Sequence, residues 1–270
     1  MASAVAPLSR EEGLYLFLSP HLDDAVLSCG GQIHQIVGRG QPIRVVTCFA
    51  GVPDYRALSP FAAGQHLRWG QPKDPVRDRR AEDVAALTSL GVAYEHWSYL
   101  DCIYRRAKDS ADFLYTSEES LFGPVASGDA WLVEALVRRV KRRFGPNGTV
   151  VYAPLSAGAH VDHQLVRLAA LRLEAAGYCV TYYEDYPYAE HLVKVVVALR
   201  RWESPGHELR IDLSEMDLAA KTAAVLQYKS QLQVLFGGES AVPGRVKSYA
   251  ETVGAGQRPA ERYYWWVIDS

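Results

Sequence analysis

The chain has 270 residues, 49% hydrophobic and 22% charged, with 29 Lys and Arg against 31 Asp and Glu for a net charge of −2. These proportions belong to a soluble globular protein long enough to bury a sizeable core, and they exclude a disordered chain and one basic enough throughout to bind nucleic acid. The four cysteines (Cys29, Cys48, Cys102, Cys179) form no CxxC pair, no secretory signal is evident and no apolar stretch reaches membrane-spanning length, so a reduced, cytoplasmic protein is expected.

Leu14 to Leu18 is a continuous apolar run, as in a strand buried on both faces of a parallel sheet. A helix is predicted over 25–38, with Ile33, Ile36 and Val37 on its apolar stripe and Gly38-Arg39-Gly40 at its end. Ile43 to Ala50 is the next strand. Residues 52–75, with glycines, prolines and few periodic apolar positions, read as a long loop that could cover a site. A helix over 77–90 and a short strand from Ala93 to Trp97 precede a second irregular insertion at 104–128. In the predicted helix 129–144, Leu132, Leu136, Val140 and Phe144 recur every four residues, so Arg138 to Arg143 read as its solvated basic face. Strand Thr149–Ala153, helix 163–176 and strand Cys179–Tyr183 follow. Residues 192–199 suit helix or strand, His207 to Leu213 a strand, and Ser214 to Gln231 one helix. The aromatic run Tyr263-Tyr264-Trp265-Trp266 reads as core or as an interface between copies of the chain.

This alternation predicts one α/β domain over 1–270, with its core at about 14–265 and a Rossmann-like, mostly parallel β-sheet flanked by helices. Ligands bind such sheets beyond the carboxyl ends of the strands. Two polar clusters fall there: Ser19-Pro20-His21-Leu22-Asp23-Asp24 after the first strand, and His160-Val161-Asp162-His163 after the fourth.

His21 and Asp24 stand three apart at a strand-to-helix turn, so both can face one point, and His163 can add a third donor. Two imidazoles and a carboxylate are a familiar catalytic zinc set with one position left open, although iron or another divalent ion suits the same donors. Asp23 is then free to take a proton from water. His160 is free to polarise a carbonyl oxygen or protonate a leaving amine. Asp162 can fix the orientation of a histidine. Other readings stay open at this point: a helix cap with a structural ion pair, a two-metal phosphoesterase drawing on Asp101 and Asp162, or a non-catalytic sugar-binding protein. Gly30-Gly31 lacks phosphate-loop spacing and reads as close helix packing. His66 and His96 read as ordinary. Tyr182, Tyr183, Tyr186 and Tyr188 could line a sugar pocket.

The run from Ser19 to Gly31 resembles the His-Pro-Asp-Asp-Glu signature of the LmbE-like, or PIG-L-like, deacetylases, and His160-Val161-Asp162-His163 resembles their His-Pro-Asp-His motif. Arg79, Glu82, Leu90-Gly91, Leu100-Asp101, Lys221, Tyr228, Ser230, Gln231 and Glu261-Arg262 look like further family positions, so the likeness spans roughly residues 14 to 265. The resemblance implies zinc-dependent removal of acetyl from an N-acetylglucosamine unit or related small-molecule conjugate. It implies His21, Asp24 and His163 as metal ligands, Asp23 as general base and His160 as oxyanion stabiliser or acid. Asp101 and Asp162 are left to substrate or supporting roles. No nucleic-acid partner is expected, and homo-oligomerisation is open. The chain departs from the motifs at Leu22, Ala25 and Val161, none of which removes a ligand. Some members carry an aromatic hydroxyl just before the second motif; Ala157-Gly158-Ala159 stands there, so oxyanion stabilisation falls to His160, the metal or a tyrosine from elsewhere.

Overall fold

A computed structural model describes residues 13–70, 73–202 and 206–266. In chain order its elements are β1 (Leu14–Ser19), α1 (Asp24–Gly38), β2 (Ile43–Thr47), α2 (Pro60–Arg68), α3 (Pro75–Ser89), β3 (Ala93–His96), α4 (Glu118–Leu121) and α5 (Trp131–Arg143). Then come β4 (Thr149–Pro154), α6 (Val161–Ala175), β5 (Cys179–Tyr183), α7 (Leu192–Leu199), β6 (His207–Asp212), α8 (Glu215–Val225), α9 (Lys229–Phe236), α10 (Val242–Gly254) and β7 (Ala260–Trp265).

The strands form one sheet in the order β3-β2-β1-β4-β5-β7-β6. The first five run parallel, and β7 runs antiparallel to both neighbours. The apolar run Leu14 to Leu18 of β1 is explained by its interior place in the sheet. Leu16 and Leu18 face a core with Leu132, Leu136 and Leu165 of α5 and α6, while Tyr15 and Phe17 face Ile33, Leu87 and Val246 of α1, α3 and α10. Burying each such side chain contributes about 1.5–3 kcal/mol, so such a run is pinned in the sheet's interior. From β1 the chain builds outward through β2 and β3; from β4 it builds the other way through β5. The order therefore reverses between β1 and β4, which pair directly. A crevice opens at the carboxyl ends of two such strands.

The structure bears out the α/β class and the mostly parallel sheet, and corrects several elements. Residues 52–75 are not all loop: the Ser59 hydroxyl caps α2 by accepting from the Ala62 amide at 3.0 Å, and Pro60 opens the helix. Residues 192–199 are a helix. The helix expected over 214–231 is two helices, because the chain breaks at Tyr228, whose hydroxyl reaches Asp83 at 2.7 Å. The aromatic run falls in the core, one of its two expected places: Tyr263 and Tyr264 lie in β7, between β5 and β6, and Tyr263 is fully buried. Helix α10 had no counterpart among the expected elements. Gly31 packs as expected, since a Cβ there would lie 2.6 Å from Leu213 and 3.2 Å from the Glu261 carboxylate.

Candidate active site

The β1–α1 turn is tied before any ligand is considered. The Ser19 hydroxyl donates to the His21 carbonyl at 2.7 Å and accepts from the Ala25 amide at 3.0 Å. The His21 amide donates to Asp24 Oδ2 at 2.7 Å. This turns the Asp24 side chain back under His21. Asp24 Oδ2 then lies 3.3 Å from His21 Nδ1 and 3.3 Å from His163 Nε2, joining the two clusters across the β1/β4 crevice.

Each imidazole is held through its other nitrogen. His21 Nε2 pairs with Asp162 Oδ2 at 2.9 Å, and His163 Nδ1 with Asp185 Oδ1 at 2.6 Å. Carboxylates in this position fix the tautomer and ring direction of a metal-binding histidine. The donor spacing fits a metal as well: bonds of about 2.0–2.1 Å to a tetrahedral ion place neighbouring donors ~3.3 Å apart. The residues present therefore suit a small divalent cation held by His21, Asp24 and His163. The imidazoles of His21, His160 and His163 also bring ring nitrogens within 4.8 Å of one another. Asp24 Oδ2, at 3.3 Å from both His21 Nδ1 and His163 Nε2, stands at tetrahedral-edge distance from each.

His160 is positioned for a different task. Its Nδ1 accepts the Asp162 amide at 3.2 Å, which assigns the ring proton to Nε2. Burial, with the neighbouring His21 acting in the same direction, holds this imidazole well below its ordinary pKa and hence neutral. His21 and His163 go the other way. Burial alone would lower both, but Asp101, Asp162 and Asp24 raise His21 well above its ordinary value, and Asp24 and Asp185 raise His163 to about 9. Asp24 is driven well below the usual carboxylate range: burial opposes ionisation, but His163 and His21 outweigh it. Asp23, its neighbour, is raised to about 7 by burial and by the Asp24 charge, against the pull of Arg79 at 3.4 Å. Two adjacent aspartates thus have different partners and opposite shifts.

Asp101 lines the same cavity, 3.8 Å from His21 Nε2, while its Oδ1 accepts the Ile103 amide and caps a 3₁₀ turn. Asp162 is buried: Oδ2 accepts the Cys102 amide at 3.1 Å, and Oδ1 faces Arg105 Nη2 at 2.6 Å. Arg105 in turn donates to Asp129 at 2.8 Å. The cavity has a volume of about 290 Å³, and its outer wall comes from the two insertions and α9, through Gln65, Arg68, Trp69, Glu118, Phe122 and Gln231. Arg79, stacked over Trp69, closes the Asp23 side.

The seven residues singled out from sequence (His21, Asp23, Asp24, Asp101, His160, Asp162 and His163) thus all gather at this crevice. Of the four tyrosines, only Tyr188 lines the cavity; Tyr182, Tyr183 and Tyr186 are core residues. His66 bonds Tyr104 and His96 bonds Asp83, both away from the donor set. Sequence reasoning missed Asp185. Its Oδ2 also accepts the Ala157 amide at 2.8 Å, so one carboxylate braces both His163 and the loop before His160. An acidic residue just past the apolar strand β5 was the available signal. Arg105 and Cys102, inside an irregular stretch, offered none.

Comparison with known proteins agrees with this arrangement. The family described as PIG-L: GlcNAc-PI de-N-acetylase matches residues 16–174. A 2′-N-acetylparomamine deacetylase of Niallia circulans is 30% identical over 257 residues, covering 86% of each chain. The solved zinc-inhibited form of a teicoplanin deacetylase is 30% identical with a TM-score of 0.77, covering 95% of this chain and 100% of that one. The A40926 pseudoaglycone deacetylase structure is 28% identical with a TM-score of 0.71, covering 93% and 95%. The family match over both motif clusters, and the near full-length likeness to these deacetylases, show that this chain belongs to the PIG-L family of de-N-acetylases.

Proposed function

We propose that this protein is a metal-dependent hydrolase that removes an N-acetyl group from an amino sugar of a small glycoconjugate. The observation that carries the reading is the divergence of the adjacent aspartates, Asp24 toward two imidazoles and Asp23 toward Arg79 at the mouth of one cavity. A divalent ion held by His21, Asp24 and His163 supplies Lewis acidity toward the acyl oxygen and lowers the pKa of water to about 7. Asp23 takes the proton from the attacking water. Its proximity to Arg79 keeps its carboxylate aimed into the cavity without neutralising it outright. His160 presents Nε2–H to the oxygen that gains charge as the carbonyl carbon becomes tetrahedral. The proton removed by Asp23 leaves with the amine, and the products are acetate and a free amino sugar.

The substrate class is supported by the relatives, which are described as deacetylases of 2′-N-acetylparomamine, of teicoplanin and of the A40926 pseudoaglycone. The polar and aromatic wall of Gln65, Trp69, Glu118 and Gln231 suits a glycan, since an aromatic face stacks on a sugar ring while the amides and carboxylate meet its hydroxyls. Zinc is the proposed ion. Cys29, Cys48 and Cys102 carry free thiols, which suits the reducing, cytoplasmic setting proposed here. No helix among the described residues is long and apolar enough to cross a membrane. A two-metal phosphoesterase would need Asp162 as a bridging ligand, but Arg105, His21 and the Cys102 amide already occupy it.

The test is acetate release by the metal-loaded protein across 2′-N-acetylparomamine, N-acetylglucosamine and an N-acetylglucosaminyl glycopeptide aglycone, with a phosphomonoester alongside. Release of acetate that stops on chelation and returns with zinc is expected. No acetate from any of them, or phosphate instead, overturns the reading.

A further inference from the structure

The loop that leads into His160 is bent tightly. Ser156 and Ala159 both adopt left-handed backbone conformations, at φ 64° and 60°. Such positions cost a non-glycine residue about 1–3 kcal/mol and persist only where surrounding structure holds them. Part of the hold is visible at Gly158. A Cβ there would lie 2.6 Å from Cγ of Tyr188, so the phenol ring packs directly on the loop backbone.

That ring stands edge-on to His163 (5.9 Å between centroids) and to Phe122 (6.0 Å), and Phe122 stands edge-on to His160 (5.6 Å). Tyr188 and His160 therefore share one wall of the cavity and one set of supports. The hydroxyls of most nearby buried tyrosines are spoken for: Tyr183 donates to the Leu18 carbonyl, Tyr228 to Asp83 and Tyr263 to Glu261. Tyr186 is an exception, with its oxygen sealed in the core. Tyr188 is the other: its hydroxyl has no hydrogen-bond partner among the described residues, yet it is not sealed and its ring lines the cavity. A hydroxyl that is open to the cavity and unpaired within the protein is available to donate to a ligand there. Ala157, Gly158 and Ala159 have no polar side chains, so the side-chain donors on this wall are His160 Nε2–H and the Tyr188 hydroxyl.

We propose that Tyr188 is a further catalytic residue, its hydroxyl donating a hydrogen bond to the acyl oxygen of the substrate amide beside His160. The bond strengthens as that oxygen gains negative charge, so it acts on the transition state more than on the bound substrate. The proton stays on the phenol. This assignment rests on the deacetylase reading, and its test separates the two.

Wild type and Tyr188→Phe are compared on whichever of the three N-acetyl sugars above releases acetate fastest. Bound metal and affinity for a methylphosphonamidate of glucosamine, a tetrahedral mimic, are measured in parallel. The expected result is a fall in kcat on the order of 10²-fold at nearly unchanged KM. Phosphonamidate binding should weaken while metal content stays whole. A variant that keeps wild-type kcat, raises only KM, or loses metal overturns the assignment and leaves the deacetylase reading standing. A wild type that releases no acetate overturns that reading, and this one with it.

Discussion

Two buried clusters of charge lie on either side of helix α1, and they are built to opposite ends. Beneath it, Glu261 accepts the Gly31 and Gln32 amides at 2.9 Å each, Lys221 Nζ at 2.7 Å and the Tyr263 hydroxyl at 2.8 Å, and Lys221 also donates to the Ser28 carbonyl. Both carboxylate oxygens carry two donors. At the N-terminal end of α1, the donors of His21 and His163 instead converge on Asp24, while the Asp23 carboxylate meets, among the described residues, only a long contact to Arg79. Both places are buried. A cluster whose hydrogen bonds close on themselves holds structure; one whose donors converge without closing is arranged for something from outside.

This contrast makes its largest demand on Asp23. Asp23→Asn should keep the fold and the bound metal while kcat drops about 10²- to 10⁴-fold, the usual contribution of a positioned base. Metal analysis with acetate-release kinetics checks it, and a metal-loaded variant at full rate would assign Asp23 to structure. The sealed cluster should behave in reverse. Lys221→Met leaves Glu261 buried without its cation and should cost roughly 3–5 kcal/mol of stability, read by denaturant unfolding, with kcat per folded molecule little altered. Between these falls Asp185→Asn, which touches a metal-facing histidine only from behind. It should weaken zinc affinity about 10- to 100-fold in a chelator competition while unfolding changes far less.

The smallest effect concerns Glu174, near the end of α6, which belongs to neither cluster. Burial raises its carboxyl to about 7, against a single bond from Tyr182 at 3.3 Å. The folded chain thus holds a proton there that the unfolded chain has already released. Stability should fall as pH climbs from about 4.5 toward 7, by no more than ~1 kcal/mol once solvent screening is allowed for. Thermal melts of Glu174→Gln should lack that slope; identical pH profiles for both proteins would refute it.

The site was legible where its residues are contiguous and sit at strand ends. His21, Asp23 and Asp24 share one turn, His160, Asp162 and His163 another, and the apolar runs before them located both turns on the sheet. What could not be read depends on distant chain. Asp185 differs in no local feature from Glu184, yet Glu184 pairs with Arg262 and Asp185 with His163. Tyr182, Tyr183, Tyr186 and Tyr188 looked equivalent, but the end of β5 and the turn after it send only the last into the cavity. The break at Tyr228 carries no glycine or proline; a partner on α3 makes it. Strand β7 was hidden because its aromatic residues fit a buried face of any kind, and only pairing with β5 and β6 specifies one. The α2 start at Ser59-Pro60 is readable from its cap, but few apolar positions follow to mark a helix.

Arg105 has a consequence beyond its salt bridge. It sits where the 104–128 excursion leaves the fold, and its partner Asp129 sits where the chain returns; the same guanidinium touches Asp162, which orients His21. Both ends of the excursion are therefore stapled to one buried clasp. Between those ends, the buried Tyr115 and Leu121 and the cavity-lining Phe122, edge-on to His160, tie the middle of the excursion to the fold as well. The clasp thus sets where the excursion leaves and rejoins the fold, and a change at either end reaches His21 through Asp162.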